Sequence, residues 1–272
     1  MRLPDYSVLL SVYKKENPVF FKAALDSVFA QTIKPNEVLL VCDGPLNPEL
    51  EEVISSYRED LNLLRLPSNV GLGEALRQGV IACRNEFILR ADTDDISAPD
   101  RAEKELTCLV NGKYDLLSSD VLMFFGDIGN QKGYRSLPSS ESEIRSFAKK
   151  RCPFNHPSVA FRKSAVIAAG NYGTLLYRED WYLWVRMLQN GCRCTNIAEP
   201  VVYMRTDDNQ LRRRSNRTAY ESIVKLFKYM KGTHFISGPR YAWNRFVFWG
   251  QRICPLSLER WIYKHFLHNG KR

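Results

Sequence analysis

The first half of the chain alternates short apolar, β-branched runs with longer stretches whose apolar residues recur at helical spacing. Short apolar runs are typical of strands, and recurrence every three or four residues indicates a helix that packs by one face. Repeats of this kind predict an α/β fold with a Rossmann-like, mostly parallel central sheet flanked by helices. The predicted strands are 7–12, 37–41, 61–66 and 87–91, and the predicted helices are 18–31, 48–57 and 73–83.

After Asp92 the strand–helix repeat loosens. The pattern predicts a helix at about 101–111, followed by an apolar run at 116–125 and a stretch rich in Gly, Ser and Pro at 126–140. Further helices are predicted at 181–190 and 218–231, and helical spacing of apolar residues resumes from Tyr241. We expect a catalytic domain over 1–204 and a basic, aromatic-rich helical region over 205–272.

The positive charge lies at one end of the chain. The net charge is +9, yet 15 of the 39 Lys and Arg residues and only 4 of the 30 Asp and Glu residues lie from Arg205 onward. Basic tails attract nucleic acid, anionic lipid or phosphate-bearing substrates. No recognised nucleic-acid module accompanies this tail, so we expect no nucleic-acid partner. Basic and aromatic residues mixed along a helix suit an anionic membrane surface, although a helix packed on the catalytic domain is the alternative.

The cysteines and the hydropathy indicate the compartment. Seven scattered cysteines without C-x-x-C spacing favour reduced, mostly buried thiols over disulfides or a structural zinc site. No apolar run reaches the ~18 to 20 residues that a spanning helix needs, and residues 1–5 lack the apolar segment of a secretory signal. The sequence therefore predicts a cytoplasmic protein that attaches to a membrane peripherally.

Polar residues follow each predicted strand of the first half, where the carboxyl ends of the strands bind ligands in open α/β sheets. They are Ser11, Tyr13 and Glu16, then Asp43 and Gly44, then Asn69 to Gly71, and finally Asp92 to Asp95. Crowded carboxylates repel one another unless a cation neutralises them, and Mg²⁺ or Mn²⁺ is held in this way together with substrate phosphates. An acidic turn in solvent is the alternative for this last cluster.

Six segments, taken in chain order, resemble glycosyltransferase family 2. They are Ser-Val-Leu-Leu-Ser-Val-Tyr, Val-Cys-Asp-Gly, Asn-Val-Gly-Leu, Arg-Ala-Asp-Thr-Asp-Asp, Asn-His-Pro-Ser-Val and Glu-Asp-Trp-Tyr-Leu-Trp. The resemblance runs from about Tyr6 to Tyr203, and it is to the bacterial transferases that build O-antigen, capsule and amylovoran-like polysaccharides. It implies a GT-A fold and inverting transfer from a nucleotide sugar, which would convert an α-linked donor into a β-glycoside.

The resemblance also implies roles for individual residues. Residues that would contact the uracil or ribose of a UDP-sugar are Ser11, Tyr13 and Asp43. Asn69 and Gly71, which follow the third predicted strand, are also assigned to substrate binding. Asp92 would lie near the ribose and the metal, whereas Asp94 and Asp95 would face the metal and the diphosphate. Asp180 would be the catalytic base, with Glu179 beside it in the substrate site. An ordinary acidic start to a helix is the alternative for this last pair.

Four further residues are assigned to the substrate site with an alternative left open. His156 would lie in the floor of the acceptor or donor-sugar pocket, or would be structural. Trp184 would stack on an acceptor sugar, or would belong to the core. Arg212 and Arg213 would bind diphosphate oxygens, or would form a solvated basic turn before the next helix.

The leading hypothesis is an inverting hexosyltransferase that uses Mn²⁺ or Mg²⁺. It would move glucose or galactose from UDP to a polyprenyl-diphosphate-linked sugar at the inner face of the bacterial inner membrane. A nucleotidyltransferase would need a glycine-rich basic loop after the first strand, and residues 13–17 contain no glycine. A non-catalytic carbohydrate- or membrane-binding protein would not need both acidic motifs.

Overall fold

The first half of the chain folds into the predicted strand–helix repeat. The structure is a computed structural model that describes residues 3–206 and 217–253, with the side chains of 251–253 excepted. The strands are β1 (Tyr6–Val12), β2 (Glu37–Cys42), β3 (Leu61–Arg65) and β4 (Phe87–Arg90), and the helices are α1 (Pro18–Phe29), α2 (Pro48–Ser56) and α3 (Leu72–Ala82). Every predicted boundary in this half is confirmed to within two residues.

Two asparagine–proline pairs set the first residues of helices in this half. The side chain of Asn17 accepts hydrogen bonds from the amides of Val19 and Phe20, directly before the proline that begins α1. Asn47 caps α2 in the same way by accepting the Leu50 amide. An asparagine cap satisfies amides that have no partner within the helix, and proline at the first position loses no hydrogen bond there.

The second half adds shorter and more varied elements. They are β5 (Ile96–Ser97), α4 (Arg101–Gly112), β6 (Leu116–Phe125), β7 (Asp127–Arg135), α5 (Glu141–Ala148), β8 (Ala160–Arg162), α6 (Lys163–Ala168), α7 (Glu179–Gln189), β9 (Cys194–Arg205), α8 (Arg217–Gly232) and α9 (Gly238–Ile253). The predicted helices at 101–111, 181–190 and 218–231 are confirmed, as is helix beyond Tyr241. The apolar run 116–125 is strand β6, and the stretch that follows it contains β7.

All nine strands form one sheet in the order β3-β2-β1-β4-β8-β6-β9-β5, and β7 pairs with β6 off this path. The first four strands are parallel, as predicted. Beyond β4 the sheet is mixed, because β8 runs antiparallel to both of its neighbours while β9 runs parallel to β6. The α/β class is thus confirmed, and the antiparallel strands of the second half complete the sheet.

Apolar residues cover both faces of the sheet. Along β1, Leu9 belongs to one buried cluster, while Val8 and Leu10 belong to the cluster on the opposite face. Consecutive side chains of a strand point to opposite faces, so a strand buried on both sides reads as a continuous apolar run. This arrangement leaves the carboxyl edge of the parallel strands as the open side of the sheet.

A third apolar cluster joins the last two helices to α7. Trp181 is buried against Phe227 of α8 and Phe248 of α9, with ring centroids 5.7 and 6.5 Å away. The indole nitrogen of Trp181 donates to the Ala148 carbonyl at 3.0 Å. The described part of the C-terminal region therefore packs directly on the helix that begins with Glu179.

The predictions about cysteines and about membrane-spanning helices can be compared with the described residues. All six cysteines in the described ranges are free thiols, which confirms the prediction for them. Among those same residues, no helix is long and apolar enough to cross a bilayer.

Candidate active site

Three carboxylates meet in the loop between β4 and β5. The nearest oxygens of Asp92, Asp94 and Asp95 lie within 4.8 Å of one another. The loop is fixed at both ends, because β4 pairs with β1 and β8, and β5 pairs with β9 at the opposite end of the sheet. Oxygen ligands at this spacing suit a hard divalent cation such as Mg²⁺ or Mn²⁺.

Electrostatics in this loop favours a bound cation. Burial, followed by the neighbouring charge of Asp92, raises the pKa of Asp94 to about 6. Burial also raises the pKa of Asp95 well above its ordinary value, and the charges of Asp94 and Asp92 add to the effect. Both shifts reflect negative charge held close together away from water, which a divalent ion would stabilise. The donor set therefore fits a metal.

Two arginines hold the acidic loop in place. The buried guanidinium of Arg90, two residues before Asp92, forms a two-pronged ion pair with its carboxylate. Arg205, the last residue of β9, donates its amide to Asp95 at 2.7 Å and its Nε to the Asp94 carbonyl at 3.0 Å. Its guanidinium also lies 3.8 Å from the ring centre of Phe20. The acidic loop is thus built from both halves of the sheet.

Asp43 shapes the loop between β3 and α3. Its buried carboxylate accepts the amides of Val70 and Gly71 at 2.7 and 3.0 Å and the side-chain amide of Asn69 at 3.0 Å. Gly71 adopts a φ of 86°, a conformation that favours glycine. Asp43 therefore holds Asn69 and Gly71 at the carboxyl edge of the sheet, and direct contact of these residues with a nucleotide stays a prediction.

Glu179 and Asp180 form the first turn of α7. Burial, followed by the charge of Asp180, raises the pKa of Glu179 to about 7, and its Oε2 atom is buried without a hydrogen-bond partner. Asp180 is half-buried and accepts the thiol of Cys152, with 3.3 Å between Sγ and Oδ2. The two neighbouring carboxyl groups therefore differ in their surroundings.

The acidic loop and the start of α7 face a common residue. Burial raises the pKa of Tyr172; the charge of Arg90 opposes the rise, and those of Asp180, Glu179 and Asp92 add to it. The phenol thus lies within electrostatic range of both acidic groups. Acidic groups from distant parts of the chain therefore act on one buried phenol.

The helices that carry these groups also touch. A Cβ built on Gly73, near the start of α3, would lie 2.5 Å from the Gly173 carbonyl and 3.1 Å from the Glu179 Cβ. Only a residue without a side chain lets the two helix starts approach so closely. The loop that Asp43 organises and the Glu179–Asp180 pair are therefore neighbours.

His156 and Trp184 form an aromatic cluster with Tyr172. Burial lowers the pKa of His156 well below its ordinary value, with the charge of Arg90 as the lesser cause, and its Nε2 lies 3.0 Å from the Tyr172 hydroxyl. Trp184 is fully buried and packs edge-on against Phe154 at 5.8 Å. The stacking role predicted for Trp184 is wrong, because a ring buried on every side presents no face to a sugar.

Two of the remaining predicted residues, Ser11 and Tyr13, lie at the carboxyl end of β1. Ser11 is half-buried in β1, and Tyr13 is half-buried directly after that strand. Arg212 and Arg213 lie outside the described residues. Contacts of Ser11 and Tyr13 with a nucleotide stay predictions.

Sequence reasoning missed Arg90, Arg205, Tyr172 and Cys152. Arg90 had a usable signal, because a charged residue inside an otherwise apolar strand, two positions before Asp92, shares a strand face with it. The other three have no such signal. Their contacts with the site come from segments far away in the chain.

Comparison with known proteins gives consistent relatives. Residues 7–169 match the family described as Glycosyl transferase family 2. An uncharacterized glycosyltransferase of Haemophilus influenzae is 38% identical over 268 residues, which cover 96% of this chain and 98% of its own. An Escherichia coli protein named UDP-Gal:alpha-D-GlcNAc-diphosphoundecaprenol beta-1,3-galactosyltransferase is 36% identical, with 96% of each chain covered. The amylovoran biosynthesis glycosyltransferase AmsE of Erwinia amylovora is 33% identical over 95% of this chain and 98% of its own.

Solved structures share the fold at low sequence identity. S. aureus TarS 1-349 in complex with UDP-GlcNAc has a TM-score of 0.68 at 15% identity, covering 96% of this chain and 79% of that one. The mannosyltransferase PcManGT from Pyrobaculum calidifontis, in complex with GDP-Man and Mn²⁺, has a TM-score of 0.65 at 14% identity, covering 98% and 71%. These likenesses show that the chains have a common architecture.

Proposed function

Since the chain belongs to glycosyl transferase family 2, and is a GT-A glycosyltransferase of polysaccharide biosynthesis, we propose that it moves galactose or glucose from UDP to a polyprenyl-diphosphate-linked sugar. The observation that carries the proposal is the cluster of Asp92, Asp94 and Asp95 after β4, together with the packing of the Glu179–Asp180 turn against the start of α3. A leaving diphosphate needs its negative charge neutralised, whereas an attacking hydroxyl needs to lose a proton. The acidic loop would serve the first need by holding a metal, and Asp180 would serve the second.

The acidic loop serves the donor. Asp92, Asp94 and Asp95 would hold Mn²⁺ or Mg²⁺, and a bound ion would neutralise the charge that develops on the leaving diphosphate. Arg90 and Arg205 keep the loop rigid before the donor arrives. In this proposal the uridine lies against Ser11, Tyr13 and the loop that Asp43 organises, at the open edge of the sheet; that loop carries Asn69 and Gly71.

Asp180 serves the acceptor. It would take the proton of the attacking hydroxyl as the new glycosidic bond forms and the bond to the UDP oxygen breaks. Attack from the side opposite the leaving group inverts the anomeric carbon, so an α-linked donor yields a β-glycoside. Glu179 retains a proton on part of the molecules near neutral pH and suits a hydrogen bond to a sugar hydroxyl. His156, held neutral below the cleft, would support its floor through Tyr172.

The donor and acceptor are proposed from one relative and from charge. The Escherichia coli relative is named for a UDP-Gal donor and a diphosphoundecaprenol-linked GlcNAc, and it matches this chain over nearly its whole length. The excess basic charge lies after residue 204, in the part of the chain that contains α9. Both features support an acceptor that carries a diphosphate on a lipid.

Helix α9 supports peripheral attachment to an anionic membrane. Trp243, Phe246 and Trp249 are 59%, 62% and 47% exposed, and their rings follow one another along one face in tilted contacts, with centroids 6.0 and 6.5 Å apart. The sequence of this helix contains three arginines and no acidic residue. Its opposite face packs on the catalytic domain, where Asn244 donates to the Lys149 carbonyl at 2.8 Å. Helix α9 thus has one face that packs on the protein and one face suited to lipid headgroups. The membrane surface in this proposal is the inner face of the bacterial inner membrane.

A donor panel tests the reaction. UDP-galactose and UDP-glucose are incubated with a synthetic polyprenyl-diphosphate GlcNAc, with and without Mn²⁺, and both UDP release and the lipid product are measured. We expect metal-dependent UDP release with a β-linked product. Release of pyrophosphate would indicate nucleotidyl transfer, and absence of any turnover with either donor would contradict the proposed sugars.

Two substitutions test the assigned roles. Asp180→Asn should lower kcat by roughly 10²-fold or more while UDP affinity stays unchanged, because a general base is lost and the donor site is not. Asp94→Ala should instead weaken Mn²⁺-dependent UDP binding in calorimetry. The exposed Asp60→Asn is a control expected to behave like the wild type. Full turnover by Asp180→Asn would remove that residue from catalysis.

Vesicle binding tests the attachment. Replacement of Trp243, Phe246 and Trp249 by serine should abolish co-sedimentation with phosphatidylglycerol vesicles and leave turnover of a short-chain, soluble acceptor unchanged. Equal binding of both proteins to these vesicles would refute the role of this face. Binding of the wild type to phosphatidylcholine alone would refute its charge dependence.

A further inference from the structure

The carboxylate of Asp180 contacts a thiol from a distant segment. Cys152 lies in the connection between α5 and β8, and its Sγ is 3.3 Å from the Asp180 Oδ2 and 3.4 Å from the Phe154 carbonyl oxygen. A thiol has one hydrogen, so it can donate to only one of these acceptors at a time. A charged carboxylate is the stronger acceptor. While Asp180 is ionised, the hydrogen therefore points to it.

The surroundings keep Cys152 a donor. Burial, followed by the charge of Asp180, raises the pKa of the Cys152 thiol well above its ordinary value. The sulfur consequently stays protonated near neutral pH and does not act as a nucleophile. The other charged or titratable groups within electrostatic range of Cys152 or Asp180 are Arg135, Tyr172 and Glu179. Arg90 and Arg178 lie within range of Glu179.

We propose that Cys152 is a positioning residue for the general base: its thiol donates to Asp180 before the reaction and turns to the Phe154 carbonyl once Asp180 has become protonated. The proposal rests on the proposed function, in which Asp180 takes the proton of the acceptor hydroxyl. No bond to sulfur breaks. The acceptor proton moves to the carboxylate, and the S–H group only changes the oxygen to which it points.

This arrangement has a chemical consequence. A donor that is bonded only to the charged form of an acid stabilises that form. It also fixes one carboxylate oxygen, so the other is left for the acceptor hydroxyl. Cys152 without this role would be only a packing residue between the aromatic clusters on either side of α7.

Four variants separate the two roles. Cys152→Ala and Cys152→Val both remove the donor, and valine retains the volume in case alanine leaves a cavity that prevents folding. Cys152→Ser keeps a hydrogen donor. Cys108→Ala is the matched control, because Cys108 is another half-buried thiol whose pKa is raised by burial and which lies on α4.

The readout is the pH dependence of kcat at saturating donor, acceptor and Mn²⁺. Loss of a weak hydrogen bond to a charged group should move the midpoint of the acid limb upward by roughly 0.3 to 0.7 pH unit in the alanine and valine variants. The serine variant should return the midpoint to the wild-type value or below it, and Cys108→Ala should not move it.

A wild-type midpoint in Cys152→Val, or a serine variant that shifts as far as valine does, would overturn the proposal. A packing role alone would change the thermal midpoint or the size of kcat and leave the limb in place. Failure of the proposed function looks different, because Asp180→Asn would then keep full turnover whatever the Cys152 variants do.

Discussion

Gly73 is the position where a single methyl group should affect both stability and catalysis. A Cβ there would lie 2.5 Å from the Gly173 carbonyl oxygen and 3.1 Å from the Glu179 Cβ. The first atom belongs to the backbone, so it cannot move aside by a change of rotamer. Gly73→Ala must therefore push the start of α3 away from the Gly173 backbone, and it also crowds the start of α7, where Glu179 and Asp180 lie.

The magnitude follows from two opposing effects. Alanine is favoured over glycine within a helix by about 1 kcal/mol, whereas an extra methyl in a tightly packed contact costs about 1 to 3 kcal/mol. Because the contact is with backbone, we expect a net loss of about 1 to 2 kcal/mol in the free energy of unfolding. A displacement of the catalytic groups by a fraction of an ångström should lower kcat by roughly 10-fold.

Urea denaturation measures the stability, and UDP release under saturating substrates measures kcat. Gly79→Ala is the control on the same helix, since its methyl would meet the buried side chains of Leu9 and Val41 at 2.6 and 2.9 Å. That variant should lose stability with little change in kcat. Gly232→Ala has open space around its Cβ and should lose neither. The reasoning is refuted if Gly73→Ala matches Gly232→Ala in both measurements.

Three other predictions use the same assays. Burial raises the pKa of Glu105 to about 7 against the opposing charge of Arg101, with which it forms a buried ion pair at 3.1 Å. The stability of the wild type relative to Glu105→Gln should therefore fall as pH rises from about 4.5 to 7, and a difference in urea that does not change with pH would contradict this. Phe227→Ala should cost about 3 to 5 kcal/mol in urea, because this fully buried ring packs on Trp181, and a loss below about 1 kcal/mol would contradict the packing. Arg205→Lys keeps the charge but loses the planar contact with Phe20 and the hydrogen bond to the Asp94 carbonyl. The Mn²⁺ concentration for half-maximal activity should therefore rise by roughly 10-fold. An unchanged concentration would show that metal binding by the acidic loop does not depend on Arg205.

Local pattern was sufficient for the parallel half of the sheet and insufficient for the rest. In the first half, buried strands and one-faced helices alternate, so each element has its own period. Strand β7 has a polar, almost wholly exposed sequence and is a strand because its backbone pairs with β6. Strand β8 has three residues, too few to show any period. Tertiary pairing determines such elements, and a single sequence does not display it.

The same distinction applies to the candidate site, where the sequence predicts some residues and not others. Acidic residues that follow a strand are visible in the sequence, and the structure brings Asp92, Asp94 and Asp95 together as predicted. Trp184 was assigned to the substrate site because it is close in sequence to Asp180, yet four residues along α7 turn its side chain into the core. Sequence distance from a candidate base thus said little about exposure, which depends on the helix face.

The packing of α8 and α9 on α7 bears on how members of this family can be recombined. Trp181, the residue after Asp180, is covered by Phe227 and Phe248, so the helix that bears the proposed base is walled on one side by the C-terminal region. A chain shortened at residue 204 would uncover that indole beside the reacting groups. Exchange of C-terminal segments between relatives would therefore alter the packing beside the proposed base, and chimaeras need α7, α8 and α9 from one parent.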